Sequence, residues 1–140
     1  MSTEINKAVV RRAFEEGPNQ RRLAVLDEAI APGYIAHSLP APTTGPEGFK
    51  QIVQQFLEGF PDMQIHLDQV IGEGNTVATR GSWRGTHRGP FMGIPATGKS
   101  VTVGFIDFWK LEGGRATENW VQMDLLGLMQ QLGVVPAPGK

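Results

Sequence analysis

Residues 101–124 read VTVGFIDFWKLEGGRATENWVQMD, and this stretch decides the fold class. Residues 101–111 are rich in β-branched and aromatic side chains, which predicts a long strand. Glu112-Gly113-Gly114 is typical of a hairpin turn, and a second strand returns from Arg115 to about Asp124. Because side chains alternate between the faces of a strand, one face of the first strand carries one acid among five apolar residues: Val101, Val103, Phe105, Asp107, Trp109 and Leu111.

Two more strands are predicted before this hairpin. In the first, apolar residues alternate with polar ones and share one face: Met63, Ile65, Leu67 and Ile71. Gly72-Glu73-Gly74-Asn75 turns the chain, and the second strand runs from Thr76 to about His87. The second half of the chain is therefore expected to form four consecutive antiparallel strands.

Upstream of Pro61 the apolar spacing becomes helical. One predicted helix ends at Gly17-Pro18, and a shorter one ends at Ala31-Pro32-Gly33. A third follows Thr44 and Glu47, which are spaced as a capping box. Its apolar residues all fall on one face: Phe49, Ile52, Val53, Phe56, Leu57 and Phe60.

A short strand and a closing helix complete the prediction. The strand is Tyr34 to His37, cut off by Pro40 and Pro42, and the helix carries Leu125, Leu128, Met129 and Leu132. Residues 1–140 show no repeat and no linker, so we expect a single domain of the α+β class, with three helices on one face of a curved antiparallel sheet. Such a sheet leaves an enclosed pocket beneath its helices.

Composition excludes several classes of protein. The 13 basic and 14 acidic residues nearly cancel and form no basic run, which argues against a nucleic-acid partner. The chain has no cysteine, and its three histidines show no metal-ligand spacing, so no metal is expected. No apolar run approaches the length of about 18 residues that spans a bilayer, and no signal peptide is recognisable, so we expect a cytoplasmic protein without a membrane partner. No nucleotide motif follows a strand, and no cofactor is expected.

Several short motifs together resemble the SnoaL-like polyketide cyclases, also called predicted ester cyclases. They span nearly the whole chain: Gly45-Pro46-Glu47-Gly48-Phe49, Phe60-Pro61-Asp62, Gly85-Thr86-His87-Arg88-Gly89, Gly93 to Lys99, Ile106-Asp107-Phe108, Glu118-Asn119-Trp120 and Leu128 to Gly133. The resemblance implies the cone-shaped NTF2-like fold. For function it leaves more than one possibility, because this fold supports many activities.

The chain departs from that family at one position. The family's cyclases use an aspartate in the middle of the last strand as general acid/base, and the resemblance places Val121 there. A family histidine on the preceding strand corresponds to Asp107. A valine cannot move a proton, so either Asp107 carries the proton transfer or the activity differs.

The candidate catalytic residues are Asp107 and His37. Burial among apolar side chains is expected to raise the pKa of Asp107 towards the range of a general base, although an acid paired for structural reasons would fit the same pattern. His37, at the rim of the pocket in the family's fold, could share a proton with Asp107, polarise a substrate carbonyl, or bind the neighbouring proline-rich loop instead. The predicted pocket walls are Trp83, Phe105, Val121, Met123 and His87, with a structural role open for His87 as well.

Three functions are compatible with this site. The leading hypothesis is a cofactor-free cyclase or isomerase acting on an apolar, carbonyl-bearing, polyketide-like substrate. The alternatives are a non-catalytic small-molecule binding protein, which the loss of the acid at Val121 would favour, and a hydrolase of esters or epoxides. Phe105 stands where an epoxide hydrolase of this fold would carry an arginine, which argues against the epoxide reaction.

The opposite face of the last two strands predicts an oligomer. Ile106, Phe108 and Trp120 point away from Asp107 and Val121 by strand alternation. Together they would expose a large apolar patch in a monomer. We expect a homodimer formed through this outer face of the sheet.

Overall fold

The computed structural model describes residues 2–37 and 44–136. These residues form four helices and five strands, which follow one another along the chain as α1 (Thr3–Glu15), α2 (Val25–Ala29), β1 (Ile30–Ala36), α3 (Gly45–Gly59), β2 (Gln64–Glu73), β3 (Thr76–Thr86), β4 (Ser100–Glu112), β5 (Arg115–Met123) and α4 (Leu125–Leu132). The predicted α+β class is confirmed. Pro40 and Pro42, predicted to end the first strand, lie outside the described residues.

The strands form one sheet in the order β1-β5-β4-β3-β2. As predicted, β2 to β5 are consecutive antiparallel neighbours. The first strand pairs parallel to β5 and begins at Ile30, earlier than predicted. Ile30 pairs with Ala116 and Ile35 with Glu118, so the residues between them bulge out of register. Pro32, which has no N–H to donate, is tolerated in this bulge at the edge of the sheet.

The helices cover the inner face of the sheet, where the core lies. Leu26 of α2, Ile30 of β1, Phe60 after α3, and Trp109 and Leu111 of β4 are at most 1% exposed. Amphipathic helices on one face of a sheet bury their apolar stripes in this way. No helix within the described residues has the length and apolarity needed to cross a bilayer.

The predicted capping box of α3 does not form. Thr44 occupies the N-cap position, but its side chain makes no capping hydrogen bond. Glu47 instead forms an ion pair with Lys50 at 3.2 Å. Pro46 does lie in the first turn, as expected.

The predicted face of Ile71 is also wrong. The register of β2 with β3 shifts between Leu67 and Gln69, so the strand bulges at Asp68 and its side chains change face beyond that point. Val70 therefore packs against the core, while Ile71 is 54% exposed.

The last helix closes one edge of the sheet. β5 pairs with β4 from Phe105 onwards, so no strand of the described residues pairs with the start of β4 on that side. The Gln131 side chain takes that place: its Nε2 donates to the Thr102 carbonyl and its Oε1 accepts from the Thr102 N–H, both at 2.8 Å. Asp124 caps α4 by accepting from the Gly127 N–H at 2.8 Å.

Candidate active site

A cavity of about 80 Å³ lies between α1, α3 and the inner face of the sheet. Aromatic and aliphatic side chains form nearly all of its lining: Phe14, Pro18, Ala36, Phe49, Ile52, Val53, Phe56, Met63, Ile65, Trp83, Phe105, Trp109, Val121 and Met123. The remaining lining residues are Tyr34, Asp107 and Asn119. A few polar groups converging in an apolar cavity are typical of a small-molecule site.

Asp107 is held by hydrogen bonds from two neighbouring strands. The Thr79 hydroxyl of β3 donates to Oδ1, and Asn119 Nδ2 of β5 donates to Oδ2 at 3.4 Å. In the sheet register, Asp107 lies between two partners: Thr79 of β3 pairs with it on one side, and Val121 of β5 pairs with it on the other. Hydrogen bonds from both sides therefore hold the carboxyl group in the cavity wall, and Asp107 is only 3% exposed.

Burial dominates the electrostatics of Asp107. It raises the pKa of the Asp107 carboxyl to about 7, although Asn119 and, to a smaller degree, the Trp109 indole N–H act to lower it. Removing a carboxylate from water disfavours its charged form, which explains the direction. At neutral pH the group can therefore both accept and return a proton, as general acid/base chemistry requires.

Tyr34 brings a second polar group to the cavity. Its hydroxyl is buried and makes no hydrogen bond within the described part of the chain. Burial raises the pKa of Tyr34 above its ordinary value, and the charge of Asp107 acts in the same direction. Tyr34 therefore keeps its proton and remains a hydrogen-bond donor.

Four of the predicted pocket residues lie in the cavity wall: Trp83, Phe105, Val121 and Met123. Trp83 Nε1 donates to the Met123 sulfur at 3.5 Å, which links β3 to β5 across the sheet. The sequence predicted all four residues as pocket walls, and the antiparallel register brings them together.

The structure does not bring His37 and Asp107 together. His37 follows β1 on the outer side of the sheet, where its ring stacks on Trp120 with centroids 4.7 Å apart. Its Nε2 lies 3.0 Å from Glu118 Oε1. Asn119 and Val121, which flank Trp120 in the sequence, face the cavity. The sheet therefore separates His37 from the Asp107 carboxyl group, with which it was predicted to share a proton.

His87 is fully buried, but it does not line the cavity. The Thr97 N–H donates to His87 Nδ1 at 3.2 Å, and the His87 ring stacks on Phe60. The backbone of His87 also bonds both Lys99 and Gly98. The residue thus ties together the two ends of the loop between β3 and β4, which is a structural role and not the predicted pocket role.

Three residues of the site were not singled out from the sequence: Tyr34, Thr79 and Asn119. The hairpin gave a usable signal for Asn119, because alternation from Val121 puts it on the inner face. Thr79 could have been found from the pairing of β3 with β4. Tyr34 gave no such signal, because its position depends on the parallel pairing of β1 with β5.

Within residues 2–37 and 44–136, no group of three or more histidines and acids is arranged to hold a metal ion.

Comparison with known proteins agrees with this architecture. A family model described as SnoaL-like polyketide cyclase matches residues 8–132. Aklanonic acid methyl ester cyclase DnrD from Streptomyces peucetius is 29% identical over 139 residues, which cover 95% of this chain and 92% of that protein.

Solved structures show the same fold. TsrD from Streptomyces laurentii superposes with a TM-score of 0.88 at 28% identity, covering 96% of this chain and 99% of that one. A SnoaL-like polyketide cyclase from Jannaschia sp. CCS1 gives a TM-score of 0.84 at 30% identity, covering 96% and 95%. The family and the NTF2-like cone predicted from the sequence are both confirmed.

Proposed function

Because the chain belongs to the SnoaL-like polyketide cyclase family, we propose that it is a cyclase that works without a cofactor and uses Asp107 as its general acid/base. The observation that carries this proposal is the Asp107 carboxyl group, buried in the wall of an apolar cavity and held there by Thr79 and Asn119. The pKa of about 7 suits a group that accepts a proton in one step and returns it in the next.

The proposed reaction is an internal aldol addition. The Asp107 carboxylate takes a proton from a carbon next to a substrate carbonyl, and the electron pair of that C–H bond moves into an enolate. The enolate carbon attacks a second carbonyl carbon of the same molecule, which closes a ring through a new C–C bond. The resulting alkoxide takes the proton back from Asp107, so no other reactant is needed.

The sheet register supports a relocated acid. In the family resemblance, the usual aspartate falls at Val121, which lies directly opposite Asp107 on the neighbouring strand. Residues paired in this way have Cβ atoms about 4.5–5.5 Å apart. A carboxyl group at either position reaches the same part of the cavity, so Asp107 can act on the same part of a bound substrate.

The cavity lining favours a neutral substrate. None of the described residues that line it is a lysine, arginine or histidine. The carboxylate of a free acid would be buried there without a counter-ion and close to Asp107, which is costly. We therefore propose that the substrate is an uncharged ketone or ester, consistent with the methyl ester substrate in the name of the relative DnrD.

Binding a polyketide-like substrate requires the cavity to expand. Its volume of about 80 Å³ is well below the ~300–1,000 Å³ of typical ligand sites. Met63, Met123 and Phe56 border the space, and unbranched methionine side chains repack readily. These three side chains are the ones that we expect to move when a ligand binds.

The experiment compares Asp107→Asn with the unaltered protein on a panel of β-dicarbonyl compounds and polyketide-like methyl esters. Asparagine keeps the shape but cannot accept the proton, so turnover should fall by about 10²- to 10⁴-fold with ligand affinity largely kept. Asp68→Asn makes the same chemical change at a more exposed acid outside the cavity and should leave turnover unchanged.

Adding Val121→Asp to Asp107→Asn returns a carboxyl group to the same part of the cavity and should restore part of the turnover. If Asp107→Asn and the unaltered protein bind the panel but neither converts any member, the chain is a binding protein. That alternative is the one favoured by the valine at position 121.

A further inference from the structure

One cavity group has no part in the reaction proposed above. The Tyr34 hydroxyl is buried and makes no hydrogen bond within the described residues. A buried polar group left in this state costs about 1–3 kcal/mol, and native proteins satisfy nearly all such groups. An unpartnered donor in the wall of a ligand cavity is explained if the ligand supplies its partner.

The other unpartnered donor in the cavity wall is less available. Among the described residues, the Trp109 indole N–H has no hydrogen-bond partner of good geometry, but it lies near enough to Asp107 to stabilise the carboxylate. Tyr34 stands on a different strand, and its ring is held edge-on against Phe49, with centroids 5.7 Å apart. Its hydroxyl and the Asp107 carboxyl are close enough for the charge of one to act on the other.

We infer that Tyr34 is a further catalytic residue, whose hydroxyl donates a hydrogen bond to the carbonyl oxygen that becomes the enolate oxygen. This inference rests on the proposed function, because it assigns Tyr34 to the substrate that Asp107 deprotonates. In that step negative charge leaves Asp107 and appears on the substrate oxygen. A fixed donor in a water-excluding site stabilises that charge more than it stabilises the neutral ground state.

Tyr34 suits this role because it stays protonated while the charge moves. Asp107 and Tyr34 are the titratable side chains of the described cavity wall. No lysine, arginine or histidine lies among these lining residues to stabilise a Tyr34 phenolate. As Asp107 takes up its proton, its negative charge no longer attracts the O–H dipole of Tyr34. The donor is then free to turn towards the enolate.

The first test is Tyr34→Phe, which removes the hydroxyl oxygen and little else. Because that hydroxyl makes no hydrogen bond in the free protein, the melting temperature should stay the same or rise. Turnover should fall by about 10²-fold, chiefly in kcat, as for loss of one donor to a developing oxyanion. A clear fall in melting temperature would show a structural partner for the hydroxyl and overturn the inference.

The second test uses binding alone, so that the two hypotheses can fail separately. The probe is 4-nitrophenol, whose phenolate resembles an enolate oxygen and whose absorbance reports its ionisation; 4-nitrotoluene is the control without the oxygen. Asp107→Asn is uncharged at residue 107, as Asp107 is once it has taken the proton and the substrate has become an enolate. In this background, Tyr34→Phe should weaken nitrophenolate binding by about tenfold or more and leave nitrotoluene binding unchanged.

Each failure has its own signature. Suppose that Asp107→Asn abolishes turnover, but that Tyr34→Phe has the same effect, or no effect, on the binding of both probes. The role of Tyr34 is then overturned, and that of Asp107 stands. If Tyr34→Phe selectively weakens nitrophenolate binding but Asp107→Asn keeps full turnover, Tyr34 is an oxyanion donor in a site whose base is another group.

Discussion

At the scale of single residues, the burial of Asp107 should make folding stability depend on pH. The pKa of its carboxyl is about 7 in the folded protein, against about 3.9 in an unfolded chain. Between these values the folded protein holds a proton that the unfolded chain has released. The contribution of Asp107 to stability is therefore complete below pH 4 and is lost as the pH rises through 7, a change of about 4 kcal/mol.

Urea unfolding at a series of pH values measures this effect. Asp107→Asn removes the titration, so its free energy of unfolding should exceed that of the unaltered protein at pH 8 by more than it does at pH 5. Asp68→Asn is the matched control, and its effect on the free energy of unfolding should differ less between pH 5 and pH 8 than the effect of Asp107→Asn. Parallel pH profiles for the protein with and without Asp107 would mean that the carboxyl titrates normally.

At the scale of elements, one polar side chain helps to dock the closing helix α4 against the edge of the sheet. Gln131 makes two hydrogen bonds to the backbone of Thr102 and so supplies the missing strand partner of β4. Gln131→Met keeps the length of the side chain but removes both bonds and leaves two backbone groups to be satisfied by water. The expected loss of stability is about 2 kcal/mol, at roughly 1 kcal/mol for each bond.

The same change at the preceding residue, Gln130→Met, is the control. Hydrogen exchange should show faster exchange of the Thr102 amide in Gln131→Met than in the control. Equal stability of the two variants, with equal protection of that amide, would show that α4 does not need this side chain to dock.

At the scale of the whole molecule, the outer face of the sheet bears an apolar patch. Ile106 is 55% exposed, Phe108 is 53% exposed and Trp120 is 39% exposed, and Phe108 lies directly opposite Trp120 on the neighbouring strand. Apolar side chains grouped in this way usually mark an interface. We propose a homodimer in which two copies of this face pack together.

Trp120→Glu should dissociate that dimer while leaving ligand binding nearly intact, because the side chain points away from the cavity. Phe108→Glu should act in the same way. Ile5→Glu, which adds the same charge at an exposed apolar residue of α1, should keep the dimer. Sedimentation of the unaltered protein as a monomer at micromolar concentration would refute the proposal.

Much of this protein could be predicted from local patterns in its sequence. Strand alternation placed Asp107 among apolar residues, put Trp83 and Met123 on the inner face, and assigned Phe108 and Trp120 to the outer one. These predictions succeeded because the two faces of a strand are fixed by backbone geometry and need no knowledge of distant contacts. On β5 the assignment started from Val121, which the family resemblance placed in the pocket. The turn at Gly113-Gly114 alone would not have given it, because the register of β4 with β5 shifts between Lys110 and Leu111.

Tertiary structure decided the positions that depend on segments far apart in the chain. The parallel pairing of β1 with β5 brings Tyr34 into the cavity wall and leaves His37 outside, and no local pattern specifies such a pairing. A bulge in β2 turned Ile71 outwards, since one added residue reverses the alternation beyond it. The sequence alone therefore determined the family, the fold class and the acid in the pocket. The partners of that acid were decided by strand register and sheet order, which arise only when the whole sheet assembles.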